Sequence, residues 1–347
     1  MINNNTTKKY EFTGETKEYG GVSLKRIRRL SDKLLGGWIE KESNLSQDGT
    51  CFVYDNARVS GDAVVFGNAR VFGNALVFDN ARVSGDAVVY GNAQVYGNAV
   101  VLGDARVYDN TQVYGNARVY GDARVYDNAQ VYDNAWVYGG ALVFDNAWVY
   151  GDARVYDNAQ VYGGALVYDN AWVYGNARAY GNAWVYGGAL VYDNAWVYGN
   201  ALVFDNARVS GDAVVYDNAR VCQQMFVRFG RVITDLSKDK KASLRAQLNV
   251  TPFNNTVILY KRVNADLSSE YDNSFIYPKR GYVETNEVEL SNSSCATGLH
   301  FAGAEYYSQN EKEGSIILVA KINLDDIITI QQGKVRCKKA FICGIAD

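Results

Sequence analysis

The sequence predicts a mainly β protein built around a solenoid, in which short strands stack on one another in successive coils. A six-residue phrase repeats without insertion or deletion from Val53 to Val221. Alanine recurs at every sixth position from Ala57 to Ala219, with Thr111 the one exception in a series of 28. Valine follows each of these positions by two residues, except at Ala179. Because one unit cannot bury its apolar side alone, the units must stack, and their unbroken phase leaves no place for a catalytic loop.

Each hexad is typical of a short strand followed by a corner. The residues Ala-x-Val-Tyr alternate, so Ala and Val face one way while the variable residue and Tyr face the other. The next two residues are Gly-Asn, Asp-Asn, Gly-Asp or Gly-Gly, which accept the positive φ angles of a corner. The tract contains no proline, as expected if every strand donates hydrogen bonds to its neighbours. We therefore expect Ala and Val inside the solenoid, and Tyr and the variable residue outside.

The hexads resemble the repeat of left-handed parallel β-helices, which place an aliphatic residue at i and a small one at i+4. In that family three hexads make one triangular coil, which implies about nine coils here. With about 4.8 Å per coil, the prism would be on the order of 45 Å long. The sequence departs from the family at i+1, where Tyr or Phe mostly replaces a small or polar residue.

Residues before the repeats predict a cap over residues 1–52. Leu35-Gly36-Gly37-Trp38-Ile39-Glu40 and Cys51-Phe52-Val53-Tyr54 resemble the lead-in of hexapeptide-repeat proteins of phages, prophages and enterobacteria. That resemblance implies a phage or prophage type of protein. A purely structural role also explains the segment, because the open edge of the first coil must be covered to prevent end-to-end stacking. The β-helix would then span 53–222.

Beyond Arg231 the period vanishes, which predicts a separate α+β domain over 231–347. About 115 residues are enough for a domain with its own core. Apolar β-rich runs alternate there with polar loops; they are Val257–Val263, Ser315–Ile322, Ile327–Ile330 and Val335–Ile345.

Gly298-Leu299-His300-Phe301-Ala302, followed by Tyr306 and Tyr307 and by the strand from Gly314, resembles the poly-ADP-ribose-polymerase core. This resemblance implies an ADP-ribosyltransferase-like pocket for NAD or a related nucleotide, with His300 in place of the family's stacking tyrosine. The implied ligand-binding residues are Lys261, Arg262, His300, Tyr306 and Tyr307. The family's late glutamate is absent from 334–345, so we expect no transferase activity. A histidine with a purely structural role at a strand end is the alternative interpretation of His300.

Tryptophans mark the outward positions of the repeats. Five of the six lie between Trp136 and Trp196, and an 18-residue coil distributes them over three faces. Tryptophan, tyrosine and arginine are enriched at interface hot spots, so these five are interface candidates: Trp136, Trp148, Trp172, Trp184 and Trp196. We expect a homo-oligomer, with a trimer favoured by family analogy, that assembles through a face within Trp136–Trp196 or through the C-terminal domain. Ring stacking that merely stabilises the solenoid, and stacking on sugars, are the alternatives.

Composition narrows the partners and the location. Net charge is −3, and the repeats hold ten Arg, seventeen Asp and no Lys or Glu. An acidic solenoid disfavours nucleic acid as a partner. No apolar run is long enough to span a bilayer, and the first residues lack the core of a signal peptide. Five cysteines without a CxxC pair indicate neither structural disulfides nor a metal site. These features predict the cytoplasm, that of the host if the gene is phage-borne.

The sequence thus favours a non-enzymatic scaffold or binding protein without a resident cofactor. A rigid β-helix would present a C-terminal domain that recognises a host protein or a nucleotide-like ligand. An ADP-ribosyltransferase-like effector using NAD is the main alternative. A hexapeptide-repeat acyltransferase is disfavoured, because such enzymes use a histidine near the coils and a loop that breaks the repeats. Here the only histidine is His300, outside the solenoid.

Overall fold

The computed structural model describes residues 8–285, 289, 297–308 and 312–346. The protein is mainly β, a parallel β-solenoid of about eleven turns followed by an antiparallel sheet domain with few helices. This confirms the predicted β-helix with a C-terminal domain. The chain divides into two compact units, Met1–Asn200 and Ala201–Asp347.

The first unit begins with three strands in the segment for which the sequence predicts a cap. Strands Tyr10–Tyr19 and Val22–Arg29 form an antiparallel hairpin, and Leu35–Ile39 pairs with its second strand. On its other edge, Leu35–Ile39 pairs in parallel with the solenoid strand Arg58–Val59. A side chain at Gly37 would approach the carbonyl oxygen of Ala57 to 2.5 Å, so only glycine lets the strand lie this close. The cap thus covers the first coil with hydrogen-bonded backbone, and a 3₁₀ turn follows at Glu42–Asn44.

The solenoid strands of this unit are two residues long and lie on three faces. Face 1 holds Arg58–Val59, Leu76–Val77, Gln94–Val95, Gln112–Val113, Gln130–Val131, Trp148–Val149, Leu166–Val167 and Trp184–Val185. Face 2 holds Val64–Val65, Arg82–Val83, Val100–Val101, Arg118–Val119, Trp136–Val137, Arg154–Val155, Trp172–Val173 and Leu190–Val191. Face 3 holds Phe52–Val53, Arg70–Val71, Val88–Val89, Arg106–Val107, Arg124–Val125, Leu142–Val143, Gln160–Val161, Arg178–Ala179 and Trp196–Val197.

Neighbouring coils pair in parallel with the predicted period. Gln112 is in register with Gln130, 18 residues later, and the other registered solenoid pairs of this unit repeat that spacing. The inward valines are fully buried, as at Val131 with 0% exposure. Corners adopt positive φ at glycine and also at aspartate, as at Asp109 with φ of 59°. The hexad interpretation is therefore confirmed, with Val and Ala inside and Gly-Asn or Asp-Asn at the corners.

The second unit opens with further coils and then a short helix. Its two-residue strands are Leu202–Val203, Arg208–Val209, Val214–Val215, Arg220–Val221, Phe226–Val227 and Arg231–Val232. Helix α1 spans Lys240–Leu248, and the Asp239 side chain caps it by accepting from the Ala242 amide. Gln247 of α1 accepts a hydrogen bond from the Phe226 amide at 3.1 Å and donates to the Ile330 carbonyl at 2.9 Å. Helix α1 thus joins the last coils of this unit to the sheet that follows.

In the described part of the chain, seven antiparallel strands form the C-terminal sheet. Their spatial order is Gly281–Glu284, Lys339–Ile345, Ile316–Asn323, Thr256–Val263, Leu299–Ala302, Lys334–Cys337 and Ile327–Gln331. The helix α2 at Ala304–Ser308 and a 3₁₀ turn at Leu324–Asp326 complete the domain. Its core is apolar and buried, with Leu259, Phe301, Leu318 and Ile342 at 0% exposure. In the described part of the chain, no helix is both long and apolar enough to cross a membrane.

The number of coils is the one correction to the predicted architecture. The hexads alone give about nine, whereas the solenoid has about eleven turns. Segments that lack the hexad sequence form the additional turns. Trp38 pairs with Arg58 and Leu45 bridges to Val65 at one end, while Arg231 pairs with Val214 at the other.

Candidate functional site

A cavity of about 440 Å³ lies in the C-terminal sheet domain. All five ligand-binding candidates from the sequence line it, namely Lys261, Arg262, His300, Tyr306 and Tyr307. The structure therefore brings them together from three separate parts of the chain, and their role in binding stays a prediction. The remaining lining residues are Ser269, Glu270, Tyr271, Asp272, Phe275, Tyr277, Thr285, Thr297, Gly298, Leu299, Phe301 and Lys334.

Strand pairing explains the convergence. Lys261 and Arg262 lie near the end of Thr256–Val263, and the adjacent strand Leu299–Ala302 carries His300. Tyr306 and Tyr307 follow on α2, directly after that second strand. At Gly298 the backbone has φ of 146°, and a side chain would approach Cγ of Arg336 to 2.8 Å. Glycine is therefore required where the chain enters the strand that positions His300.

Arg262 is held by an ion-pair cluster. Its Nε lies 3.1 Å from both carboxylate oxygens of Glu270, and Lys312 Nζ lies 3.1 Å from Oε1 of the same group. The Arg262 guanidinium also lies 5.6 Å from the Tyr307 ring centroid. Burial by itself would raise the pKa of Glu270, but hydrogen bonds from Lys312 and Arg262 outweigh it and lower that pKa. Glu270 thus occupies the edge of the Arg262 guanidinium that a ligand phosphate would need.

Lys261 is buried, with 6% of its surface exposed. Its Nζ lies 5.6 Å from the centroid of the Tyr277 ring, and among the described residues it forms no ion pair. Burial lowers the pKa of Lys261 to about 8, and the nearby cations Lys334 and Arg262 lower it further against the opposing effect of Glu270. A fraction of this amine is therefore neutral at physiological pH.

His300 carries a neutral imidazole at pH 7. Burial lowers the pKa of His300 to about 4, and the positive charges of Lys261, Arg336 and Lys334 act in the same direction. A hydrogen bond with the Gly298 backbone opposes this shift without reversing it. The ring combines the two interpretations offered by the sequence, because it is hydrogen-bonded at a strand end and also lines the cavity.

Aromatic rings form much of the remaining wall. The rings of Tyr306 and Tyr307 meet edge to face at 5.2 Å, and Lys334 Nζ lies 4.9 Å from the Tyr306 centroid. Tyr277 packs edge to face on Phe301 at 6.5 Å, and burial raises the pKa of Tyr277. Cations beside neutral rings suit a ligand that joins an anionic group to a planar one.

Among the described residues that line the cavity, none is the late-strand carboxylate that the transferase family uses. Its acidic lining residues in the described part of the chain are Glu270 and Asp272. The first is paired with two cations, and the second accepts hydrogen bonds from the Ser274 amide at 3.0 Å and from its hydroxyl. Within 8–285, 289, 297–308 and 312–346, no cluster of three or more His, Cys, Asp or Glu side chains could hold a metal ion.

On the solenoid, the interface candidates separate by face as the spacing predicts. Trp148 and Trp184 lie on face 1 with Leu166 between them in register, and they are 40% and 42% exposed. Trp196 lies on face 3, 39% exposed, with the Arg178 guanidinium 5.2 Å from its ring centroid. The five tryptophans therefore do not form one surface, and face 1 presents the most exposed pair.

Face 2 carries the alternation of Arg and Trp. The Arg118 guanidinium lies 5.1 Å from the Trp136 ring, and Arg154 lies 5.0 Å from Trp136 and 4.9 Å from Trp172. Both tryptophans are partly buried in this ladder. On face 2 the arginines and tryptophans thus contact one another. This favours the interpretation that these ring contacts stabilise the solenoid there.

Parts of the repeat tract match the family model described as the YdcK beta solenoid repeat. The matched residues are 52–67, 75–91, 93–109, 111–127, 123–139, 129–145, 147–163, 159–175, 195–211, 201–217 and 207–223. No curated protein matches the chain. The family match thus covers repeats and none of the C-terminal sheet, so it bears on the solenoid and not on the cavity.

Proposed function

We propose that this β-solenoid repeat protein of the YdcK type is a non-enzymatic binding protein of phage or prophage origin, acting in the host cytoplasm. The solenoid is its rigid spacer and assembly surface, and the C-terminal sheet domain recognises a nucleotide-like ligand. The convergence of Lys261, Arg262, His300, Tyr306 and Tyr307 on one cavity carries this proposal. A host protein that docks on the same domain is the second candidate partner.

The chemistry of the cavity supports a nucleotide-like ligand. A volume of about 440 Å³ lies within the usual range of small-molecule sites. Lys261 and Lys334 supply positive charge for a phosphate, while neutral His300 and the Tyr306 ring offer surfaces for a planar base. A phosphate could also replace the Glu270 carboxylate on Arg262, because guanidinium binds both groups bidentately.

Calorimetric titration of the full chain with AMP, ADP-ribose, NAD and cyclic nucleotides tests ligand binding. We expect a heat signal with at least one of them, weakened about tenfold or more by His300→Ala and by Tyr306→Ala. Tyr282→Ala is the matched control, because Tyr282 is 71% exposed in the same domain and lies outside the cavity. If no nucleotide binds, the nucleotide proposal is wrong and a host-protein partner is favoured instead.

ADP-ribosyltransferase activity is the alternative use of the same cavity. It is supported by the placement of His300 and Tyr306 and opposed by the absence of a free carboxylate in the described cavity. Incubation with labelled NAD should leave the label on intact NAD and transfer none to protein. Transfer that His300→Ala abolishes would replace the binding proposal with the enzymatic one.

For the solenoid we propose a homo-oligomer through face 1, with a trimer favoured by family analogy. The partner on face 1 is a second copy of the chain, because its coils have the same spacing. Within one chain the ring centroids of Tyr132 and Tyr150, one coil apart, are separated by 4.8 Å. From Leu76 to Trp184 the outward strand positions of face 1 are Leu, Gln and Trp and carry no charge, so two copies can meet there without opposing like charges. The exposed rings of Trp148 and Trp184 would supply the apolar centre of the interface.

Sedimentation velocity at micromolar concentration tests this assembly. The native chain should sediment as an oligomer, and Trp148→Arg with Trp184→Arg should convert it to a monomer. The control is Trp136→Arg, the same substitution on face 2. A monomeric native chain would rule out the homo-oligomer, whereas an oligomer that survives the double substitution would exclude face 1 alone.

A further inference from the structure

Lys261 breaks the alternation of the strand on which it lies. On Thr256–Val263 the buried positions are Val257, Leu259, Lys261 and Val263, at 2%, 0%, 6% and 0% exposure. Every second side chain of a strand faces the same way, so the lysine takes a place that its neighbours fill with apolar groups. Its ammonium loses most of its hydration there, and desolvated ionisable groups in clefts cluster at functional sites.

Burial and two neighbouring cations increase the neutral fraction of the Lys261 amine. In the described part of the chain Glu270 is the carboxylate that attracts it electrostatically, and that group is paired with Arg262 and Lys312. Arg262 and Lys334 are cations on the same cavity, and Tyr277 presents a ring to the ammonium. Desolvation beside other cations is the arrangement that makes a lysine nucleophilic.

We propose that the Lys261 amine condenses with the carbonyl group of an anionic, ring-bearing ligand and forms an imine in this cavity. The inference rests on the proposed function for the class of ligand and adds a covalent step to it. The anion is attracted by the surrounding cations, and the planar group by Tyr306 and His300. An aldehyde or ketone on such a ligand then lies in the same cavity as the amine.

The step balances without an oxidant or reductant. The lone pair of Lys261 Nζ attacks the carbonyl carbon, so a C–N bond forms and the oxygen gains the electron pair of the C=O π bond. One proton moves from nitrogen to that oxygen and gives a carbinolamine. A second proton leaves the nitrogen, the hydroxyl departs as water, and a C=N bond remains. His300, neutral at pH 7 and on the same cavity, can accept and return these protons.

Other lysines near the cavity are less buried than Lys261. The side chain of Lys312 is 57% exposed and is paired with Glu270. Lys334 lies against the face of the Tyr306 ring, and it is only partly buried. The pKa of Lys261 is lowered by burial to about 8, so about a tenth of its amine is neutral at pH 7. An ordinary lysine has a neutral fraction on the order of one in a thousand at that pH.

The test uses pyridoxal 5′-phosphate, which joins an aldehyde to a planar ring and a phosphate. The full chain is incubated with it at pH 8, reduced with borohydride and digested for mass spectrometry. We expect Lys261 to be labelled at least about tenfold faster than Lys312, with a rate that rises through a midpoint near pH 8. Lys261→Arg should remove that label and leave the slow labelling of other lysines unchanged. Labelling spread evenly over the surface lysines would overturn the inference.

A matched ligand separates this inference from the proposed function. Pyridoxine 5′-phosphate keeps the ring and the phosphate but carries an alcohol in place of the aldehyde. If it binds, and binding is lost in His300→Ala, while Lys261 is not labelled by the aldehyde, the imine is excluded and the binding function stands. If neither this compound nor any of the nucleotides binds and Lys261 is not labelled, both proposals fail. Selective labelling of Lys261 supports the imine whether or not Lys261→Arg folds, because the site is read in the native chain.

Discussion

The solenoid of the first unit and the sheet domain of the second treat their polar and aromatic side chains in opposite ways. On the solenoid an outward ring meets the same kind of ring one coil later, as Tyr114 meets Tyr132 at 4.9 Å with parallel planes. In the cavity each group meets a different one, as Arg262 meets Glu270 and Lys334 meets Tyr306. In a repeat, each side chain can contact the same side chain of the next coil. A binding site instead needs different groups that converge on one ligand. The chemistry of this protein is therefore expected where the period ends.

The pKa shifts of the two regions show the same contrast. In the row of stacked rings that contains Tyr90, Tyr108 and Tyr126, burial raises the pKa of Tyr108 to about 12. The two adjacent tyrosines add to this rise. A tyrosine is already neutral at physiological pH, so a higher pKa does not change its charge there. In the cavity, burial brings the pKa of Lys261 down to about 8 and that of His300 to about 4. The first shift gives Lys261 an appreciable neutral fraction at physiological pH, and the second keeps His300 uncharged down to mildly acidic pH.

The largest expected effect breaks the solenoid itself. Val131→Asp places a carboxylate at a fully buried position between two coils, and we expect a loss of at least about 3 kcal/mol in the free energy of unfolding. Urea unfolding followed by circular dichroism measures the loss. Gln130→Asp is the matched control, since its side chain faces outward on the same strand. Equal stability of the two variants would show that the inward assignment of the valines is wrong.

The second effect belongs to the cavity and depends on pH. The folded-state pKa of His300 is about 4, below the ordinary histidine value, so the unfolded chain binds more protons between these two pKa values. Stability of the sheet domain should therefore fall as pH decreases from about 6.5 to 4, by about 2 kcal/mol once partial exposure is allowed for. His300→Gln should remove this part of the pH dependence.

The chain's single histidine makes this measurement direct. Proton NMR of the imidazole follows one titrating group, and urea unfolding at pH 4.5 and 7 follows the stability. An imidazole that titrates near its ordinary pKa would show that His300 is solvated, and the contrast between cavity and solenoid would lose its strongest support.

The solenoid was predictable in nearly every respect because its physics is local. The alternation of Ala-x-Val-Tyr predicts which residues face inward, and the corner pairs predict the positive φ angles. The count of turns was not predictable from the hexads. Leu35–Ile39 and Arg231–Val232 join the coils without the hexad phrase, because backbone pairing needs an edge and not a particular sequence.

The cavity was predictable only in part. A resemblance over a short motif pointed to residues that the structure does bring together, such as His300 and Tyr306. It did not point to Glu270, Tyr277 or Lys334, which also line the cavity. Glu270 and Tyr277 lie in the segment between strands Thr256–Val263 and Gly281–Glu284, and Lys334 begins the strand Lys334–Cys337. No periodicity or spacing links these three, and their effect on charge depends on burial that only the folded domain creates.

A third prediction concerns the cost of keeping Lys261 buried. Lys261→Met replaces a desolvated cation by an apolar chain of similar length, so we expect the sheet domain to gain about 1.5 kcal/mol at pH 7 while nucleotide binding is lost. The folded pKa of about 8 is below that of an unfolded lysine, so the native chain gains stability as pH rises between the two values. The advantage of the variant should therefore shrink toward pH 10. A destabilised variant at pH 7 would show that the ammonium is well solvated.

The smallest effect sharpens the comparison within the solenoid by using two arginines of the same repeat. Arg154 lies between Trp136 and Trp172 on face 2, with its guanidinium within 5.0 Å of both ring centroids. Arg124 on face 3 lies in register between Arg106 and Leu142. Cation–π contacts at partly exposed sites contribute about 0.5–1 kcal/mol each, so Arg154→Ala should cost about 1 kcal/mol.

Arg124→Ala should cost close to nothing, because it removes a like charge beside Arg106 as well as its own contacts. Urea unfolding followed by tryptophan fluorescence compares the two, since Trp136 and Trp172 report directly on the coils around Arg154. High salt should leave the difference largely intact, because the arginine of the ladder is partly buried between its two rings. If both variants lose the same free energy, the Arg–Trp alternation contributes nothing beyond the common repeat. Face 2 would then have no ladder of its own to stabilise it, and its tryptophans would again become candidates for an interface.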